Sequence, residues 1–415
     1  MASNNRWRLL SIAVIALVAA WLGWQWESLD PVIRALVLGL SVVALGLTLV
    51  RDDDHAVSER SDDALGRIHD MVLADESRRP WDPTTLPWRA PTPGERPVLL
   101  VPAADYHLAE VVPLSNELNR MGIPTRLAIG ASPWERTWPA FHWYDQEVYA
   151  LPEPEEIAGK VAAVLVMKDT GSLGPFVQSC RDLGIPTIGK VEGAQDFWDS
   201  DTPEERRPYR NLDLVLCQGQ FDADALSDRP TAIVGSTRLE RLWWAPPVTV
   251  TEPLAVINLN FVYGVRTADR KLWLETAIEG CERAGIPYVI SVHPAEKARV
   301  DSNWVTSISA SRLLPRASVL ISRFSTMPFE AMARGVPFIY HNPHGETVKT
   351  FNAGSDAYPI TSDSPSLASA LTRLPPSGQA TRDRGSKWFE AFVSMSETAT
   401  SEARGSAEIR EHLAV

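Results

Sequence analysis

The stretch Ala331-Met332-Ala333-Arg334-Gly335-Val336-Pro337-Phe338-Ile339-Tyr340 decides how the chain folds. Helix-forming residues stop at a glycine, a proline follows two residues on, and an apolar, β-prone run begins at once. Glycine takes the left-handed conformation that closes a helix, and proline is tolerated at the start of a strand, where no ladder donor is needed. The same pattern recurs as Gly122-Ile123-Pro124, Gly184-Ile185-Pro186 and Gly285-Ile286-Pro287. Four helix-to-strand junctions of one type predict repeated βαβ units and a mostly parallel sheet.

Short apolar runs of the kind buried on both sheet faces lie where this reading needs them. They are residues 98–101, 161–167, 212–217, 254–259, 288–292, 319–322 and 338–340, with another around Ile188. The proline-rich stretch from Trp243 to Pro253 divides them into two sets. A chain of 415 residues is also too long for one ordinary core. Two α/β domains are therefore expected, at 98–245 and 254–380, followed by a helical tail at 381–415 whose Trp388, Phe389 and Phe392 pack back across both.

The amino-terminal end reads differently. Residues 9–26 and 32–50 are nearly continuous apolar runs, each long enough to cross a hydrocarbon core as a helix. Arg6, Arg8 and Arg51 lie outside the pair, while the short loop between holds only the acids Glu27 and Asp30. That asymmetry predicts a two-helix membrane hairpin over 1–51, multi-pass in the cell membrane, with both termini and the globular part in the cytoplasm. Trp21, Trp24 and Trp26 sit where an interfacial aromatic belt belongs. Residues 52–97 are charged and then proline-rich, which predicts an extended tether.

Composition narrows the function. A net charge of −12 argues against nucleic-acid binding, which needs a positive footprint. Cys180, Cys217 and Cys281 are widely spaced inside apolar runs, as reduced core thiols are, and suit a reducing compartment. No paired acidic motif or His/Cys cluster has metal-ligand spacing, so no metal and no cofactor is expected.

In open parallel sheets, ligands bind beyond the carboxyl ends of the strands. Five polar clusters stand there: Asp105-Tyr106-His107, Glu192-Gly193-Ala194-Gln195-Asp196, His293-Pro294, Ser322-Arg323-Phe324-Ser325-Thr326, and His341-Asn342-Pro343-His344-Gly345-Glu346. Ser325 and Thr326 open a helix, where they either cap it or cradle a phosphate. Arg323, in the same turn, is either a surface cation or a pyrophosphate partner. His293, at a strand end before proline, suits phosphate contact or acid catalysis. His341 and His344 stand in a loop that is also ordinary turn chemistry. His107 has an unperturbed pKa near working pH, with Asp105 close by in sequence to orient it.

The segment 321–340, with its strand, Ser/Thr-rich turn, helix carrying Glu330, Gly-x-Pro and second strand, resembles the donor-binding segment of GT-B transferases. With His293-Pro294 upstream it also resembles the CDP-glycerol glycerophosphotransferase and capsule-polysaccharide branch. Gly193-Ala194 stands where relatives carry His-Gly, and Val234-Gly235-Ser236 precedes the linker. The resemblance spans about residues 98–350. It implies an α/β GT-B architecture of two Rossmann-like domains, here preceded by the transmembrane hairpin, with acceptor bound by the first domain and donor by the second. It further implies that Glu330 holds the donor's ribose, beside His293, Arg323, Ser325, Thr326 and His344 as donor-binding residues, and that the first domain supplies the base. His107 leads for that role, with Asp105 behind it. Glu192, in the loop where relatives place a histidine, is the second candidate. The implied partners are a nucleotide-activated donor, a polymer or lipid-linked acceptor, and membrane lipid. A nucleotide-sugar 2-epimerase of the same fold and a non-catalytic scaffold of polysaccharide assembly remain alternatives.

The hairpin is tested by labelling. Cysteine introduced at Ser28 is expected to react with an impermeant thiol reagent from outside intact cells, and cysteine at Ser58 is not. The opposite pattern reverses the orientation.

Overall fold

The computed structural model describes residues 86–130, 147–171, 173–195, 197, 208–261, 266–293, 300, 305–306, 308–352 and 355–414. All of these belong to one compact unit, Arg60–Val415. The apolar runs at 9–26 and 32–50 lie outside the described residues. Among the described residues, no helix is long and apolar enough to cross a membrane.

The described strands form two sheets. The first comprises β1 (Val98–Val101), β2 (Thr125–Ile129), β3 (Val148–Ala150), β4 (Ala163–Val166), β5 (Thr187–Lys190), β6 (Leu214–Cys217) and β7 (Thr231–Ile233). The second comprises β8 (Ala255–Leu259), β9 (Tyr288–Val292), β10 (Val305–Thr306), β11 (Val319–Ser322), β12 (Phe338–His341) and β13 (Ile360–Thr361). Their orders are β3-β2-β1-β4-β5-β6-β7 and β10-β9-β8-β11-β12-β13. Every pairing within them is parallel. Each sheet runs outward from a central strand and then reverses, between β1 and β4 in the first and between β8 and β11 in the second. This is doubly wound Rossmann topology, twice. Strands β1, β4, β6, β11 and β12 are buried at every residue, which explains why the sequence shows runs there and no alternation.

The four Gly-x-Pro junctions behave alike. Gly122, Gly184, Gly285 and Gly335 have φ of 81°, 69°, 66° and 75°. In each case the proline carbonyl accepts a hydrogen bond from the adjacent strand: from the N–H of Val98, Val164, Ala255 and Leu320, at 2.8–3.0 Å. Each proline thus joins the ladder as an acceptor alone.

Six helices matter below: α1 (Leu108–Arg120), α2 (Thr237–Trp244), α3 (Arg270–Ala284), α4 (Met327–Ala333), α5 (Gln379–Phe392) and α6 (Ser401–Ala414). Helix α5 belongs to the second core, where Trp388 stacks on Phe329 at 4.7 Å and Phe389 on Trp243 at 4.6 Å. The chain then crosses back. Phe392 meets Phe221 at 4.6 Å, and α6 sets Ile409 and Leu413 into the core beneath β1 and β4.

Residues 86–97 depart from the expected tether, because they dock on the first sheet. Leu86 forms a parallel bridge with Tyr149. Its N–H donates to Val148 O and its carbonyl accepts from Ala150 N–H, both at 2.9 Å. Trp88 lies edge-on to Tyr149 at 5.7 Å, and the Arg126 guanidinium sits 5.3 Å above the Trp88 ring. β3 is an edge strand with unpaired backbone groups, and extended chain arriving beside it can pair.

The junctions carry a stability prediction. Nothing surrounds the Cβ direction of Gly122, so Gly122→Ala is expected to cost about 1–2 kcal/mol, the left-handed strain alone. At Gly335 an added Cβ would also lie 2.5 Å from the Gly378 carbonyl. Gly335→Ala should therefore lose more in urea titration; equal losses mean that this contact relaxes freely.

Candidate functional site

The reversals in strand order place the ligand crevices beyond the carboxyl ends of β1 and β4 in one domain and of β8 and β11 in the other. In the first domain, the turn after β1 leads through a short 3-10 helix, Asp105–His107, into α1, while Glu192 stands two residues beyond β5. These two loops bring His107 Nε2 into direct contact with Glu192 Oε2. Tyr106 lies edge-on to His107 at 4.6 Å, and its hydroxyl is 3.5 Å from the same oxygen.

The hydrogen bonds assign the roles in this pair. His107 Nδ1 accepts the Ala103 N–H at 2.9 Å, so the ring proton is on Nε2 and faces Glu192. The His107 side chain has no exposed surface, whereas Glu192 keeps 18%. Glu192 Oε1 accepts no hydrogen bond among the described residues. Burial alone would push the Glu192 carboxyl up, but the contact with His107 and the charges of Lys168 and Arg238 outweigh it. The net effect holds the carboxyl below its ordinary value. This geometry corrects the assignment of His107 as the group that meets an acceptor: both ring nitrogens are engaged and the ring is out of reach. Asp105 lies on the same turn. His107 is oriented by the Ala103 backbone and by Glu192.

The two domains touch beside this pair. A Cβ on Gly193 would fall 2.2 Å from Thr326 Oγ1, so only glycine permits the approach. Thr326 Oγ1 accepts the Ala194 N–H at 3.1 Å. Its hydroxyl is thus engaged across the domain boundary and makes no cap on α4. One helix further, Arg238 Nη1 donates to Glu330 Oε1 at 2.6 Å, and Ser311 Oγ donates to Glu330 Oε2. Glu330 is buried with both oxygens taken. The Arg238 side chain is mostly buried. Its desolvation opposes the charge, but Glu330, Glu110 and Glu192 outweigh it and push the pKa further up.

Arg238 is held in place by another acid. Glu110, in the first turn of α1, accepts from Ser236 Oγ and from the backbone N–H groups of Thr237 (2.9 Å) and Arg238 (3.1 Å), so it caps α2. Lys190 Nζ, 3.3 Å away, balances its charge. Burial again works against ionisation, and Lys190 and Ser236 more than offset it.

In the second domain, Glu346 is the organiser. Its Oε2 accepts from Arg323 Nε at 3.0 Å, and its Oε1 from Phe324 N–H at 3.0 Å and Tyr340 Oη at 2.6 Å. His344 Nε2 is 3.1 Å from Oε2. Burial opposes the charge, but His344 and Arg323 hold the carboxyl down at about 2. Arg323 also donates to Asn260 O at 2.8 Å and lies 4.5 Å above the Phe261 ring. Arg323 is therefore spent internally, which corrects its assignment as a pyrophosphate partner. His344 belongs to the same buried group. His341 joins Thr276 Oγ1 and Thr361 Oγ1, both at 2.9 Å, and burial followed by the charge of His344 lowers it to about 4. It is a structural histidine. Ser325 Oγ accepts from Met327 N–H at 3.2 Å and from Asn258 Nδ2 at 3.4 Å, which leaves its own proton to donate. His293 follows β9 directly, its N–H on Leu259 O at 3.1 Å.

Arg238, Glu110 and Glu346 carry only faint signals in the sequence. Arg238 comes two residues after Val234-Gly235-Ser236, and Glu346 ends the fifth polar cluster. Neither position tells which distant partner the side chain meets. Among the described residues, no group of three His, Cys, Asp or Glu side chains could hold a metal ion.

No protein-family model and no curated protein matches the sequence. Solved structures do match in three dimensions. A UDP-GlcNAc 2-epimerase of Methanocaldococcus jannaschii, in complex with UDP-GlcNAc and UDP, superposes with a TM-score of 0.51 and 14% identity, over 69% of this chain and 97% of that one. A putative UDP-N-acetylglucosamine 2-epimerase of Listeria monocytogenes gives 0.50 and 12%, over 77% and 96%. The fold is GT-B. The wall teichoic acid polymerase TagF gives a TM-score of 0.49 at 11% identity, over 77% of this chain and 89% of its own.

The Arg323–Glu346 pair is testable by stability. Arg323→Met strands a buried carboxylate and is expected to cost about 3–5 kcal/mol, much of it recovered when Glu346→Gln is added. A carboxyl with a depressed folded pKa contributes stability that is present above its ordinary value of 4.5 and lost as pH falls toward 2. Glu346→Gln should flatten that acid loss in urea titrations. Unchanged stability in Arg323→Met would return the guanidinium to donor binding.

Proposed function

We propose that this chain is a membrane-anchored transferase that moves a sugar or polyol-phosphate unit from a nucleotide-activated donor to a polymer or lipid-linked acceptor. The observation that carries the proposal is the Glu192–His107 pair: an ionised carboxylate with one oxygen that no described group occupies, backed by a buried histidine, beside the contact between two Rossmann-like domains. A transferase of this architecture needs a base on the acceptor side and donor-binding groups across the cleft. Glu192 Oε1 takes the proton of the acceptor hydroxyl. The acceptor oxygen forms the new bond to the transferred unit as the bond to the nucleotide phosphate breaks. His107 holds the carboxylate still and keeps it ionised.

The donor occupies the crevice beyond β8 and β11, with Ser325 donating to its phosphates and His293 at the adjoining strand end. Glu330 reaches a ribose only by exchanging Arg238 for it, so donor binding and domain contact are coupled. The runs at 9–26 and 32–50 anchor the chain with its catalytic part in the cytoplasm. Arginines flanking the hairpin support this, and so do the three buried free cysteines.

A thermal-shift screen of the full chain against UDP-, GDP-, CDP- and CMP-linked donors identifies the donor. A ligand at about 100 times its Kd adds roughly 2.7 kcal/mol. UDP-GlcNAc, the ligand of one matched epimerase, also tests the nearest rival. Conversion to its 2-epimer without any acceptor would replace transfer by epimerisation.

With the donor in hand, Glu192→Gln is expected to lower turnover about 100- to 10,000-fold while donor affinity holds. Activity requires the ionised carboxyl, so the rate falls as pH drops through its lowered pKa, on the acid side of the ordinary glutamate value of 4.5. His107→Ala removes the contact that lowers it, and the acid limb should move to higher pH. A Glu192→Gln enzyme with wild-type turnover would sink this assignment.

A further inference from the structure

We infer that Tyr209 is the positioning residue of the site, setting where the Glu192 carboxylate stands; the inference rests on the reading of Glu192 as the base. The Tyr209 hydroxyl donates to Met167 O at 2.6 Å and accepts the Glu192 N–H at 3.1 Å. Met167 is the first residue beyond β4, and Glu192 is two beyond β5. A single oxygen therefore bolts together the carboxyl ends of two adjacent strands, at the backbone of the residue that carries the base.

The surroundings are built to hold that ring. Tyr209 has φ of 65°, a left-handed conformation that a bulky residue adopts only when its neighbours impose it. Asp169 imposes it by accepting the N–H groups of Tyr209 and of Asn211, the latter at 2.8 Å. Arg229 Nη1 donates to Tyr209 O at 2.9 Å. A Cβ on Gly189 would lie 3.1 Å from the Tyr209 ring and 2.3 Å from Leu212, so glycine in β5 makes the room. The ring is completely buried. Burial, then the Glu192 charge, pushes the phenol well above its ordinary value, so the hydroxyl keeps its proton. A core tyrosine needs one hydrogen-bond partner. This one takes two, and the second is the base's own backbone. Misplacement of a catalytic group by about 1 Å can cost on the order of 100-fold in rate.

The Glu192–His107 contact can be read without a donor. The full chain is labelled with ¹⁵N-histidine, and the His107 Nε2–H resonance is assigned by its loss in His107→Asn. In Tyr209→Phe, which keeps the ring, that resonance is expected to move upfield as the hydrogen bond to Glu192 lengthens. Its pH dependence should show Glu192 titrating at higher pH than in the wild type. Asp169→Asn, which frees the backbone on the other side, is expected to shift both in the same direction. With the donor found by thermal shift, Tyr209→Phe should lower kcat at least tenfold and leave donor KM within about twofold. Added to Glu192→Gln, it should cause no further loss. An unchanged resonance and titration in a folded Tyr209→Phe protein overturn the inference, even if its melting temperature falls. Wild-type turnover by Glu192→Gln overturns the base reading, and this inference with it. An inactive Glu192→Gln beside a Tyr209→Phe of normal kcat overturns this inference alone.

Discussion

A carboxylate taken out of water costs several kcal/mol unless a cation and hydrogen-bond donors receive it. Four such groups, Glu110, Glu192, Glu330 and Glu346, stand around the candidate site, and its arrangement follows from how each is satisfied. Glu110 is met by Lys190 and by the start of α2. Glu192 is met by His107. Glu330 is met by Arg238 and Ser311. Glu346 is met by Arg323, Tyr340 and the Phe324 backbone. For Glu110, Glu192 and Glu330 a partner comes from far along the chain, so these acids tie together elements that the sheets alone would leave independent, while Glu346 braces the ends of the paired strands β11 and β12.

These ties are linked in series. Glu110 caps α2, and that cap sets the position of Arg238. Arg238 reaches out of the first domain to Glu330, the early acid of α4. The start of α4 carries Thr326, which binds the backbone beside Glu192. Helices α5 and α6 close the circuit by packing first on the second core and then on the first. Of the four acids, only Glu192 combines accessible surface with an oxygen that no described group occupies. That difference, and not its acidity as such, marks it as the chemical member of the set.

The fold was legible because it depends on local rules. Glycine alone sits easily at positive φ, and a proline carbonyl can serve a ladder that a proline nitrogen cannot. Both facts act within three residues, so Gly-x-Pro announces a helix-to-strand junction wherever it occurs. Double burial of central parallel strands likewise writes itself as uninterrupted apolar runs. The candidate site was legible only as far as its address. The carboxyl-end rule named the loops that hold His107, Glu192, Arg323 and Glu346, but it could not rank them. Residues 86–97 show the same limit: an extended, proline-rich stretch was readable, and its pairing with the edge strand β3 was not.

The sequence by itself determined that there are two α/β domains with mostly parallel sheets, which loops face the crevices, and a pair of apolar amino-terminal runs long enough to span a bilayer. These are consequences of φ, of periodicity and of length, which each segment expresses alone. The tertiary structure alone decided which polar residues are spent and which are free. His107 looked like a base and Arg323 like a phosphate partner until their partners, 85 and 23 positions away along the chain, were in place. Charge and hydrogen bonding are settled by distance in space, and a side chain's availability is whatever remains after its neighbours have taken their share.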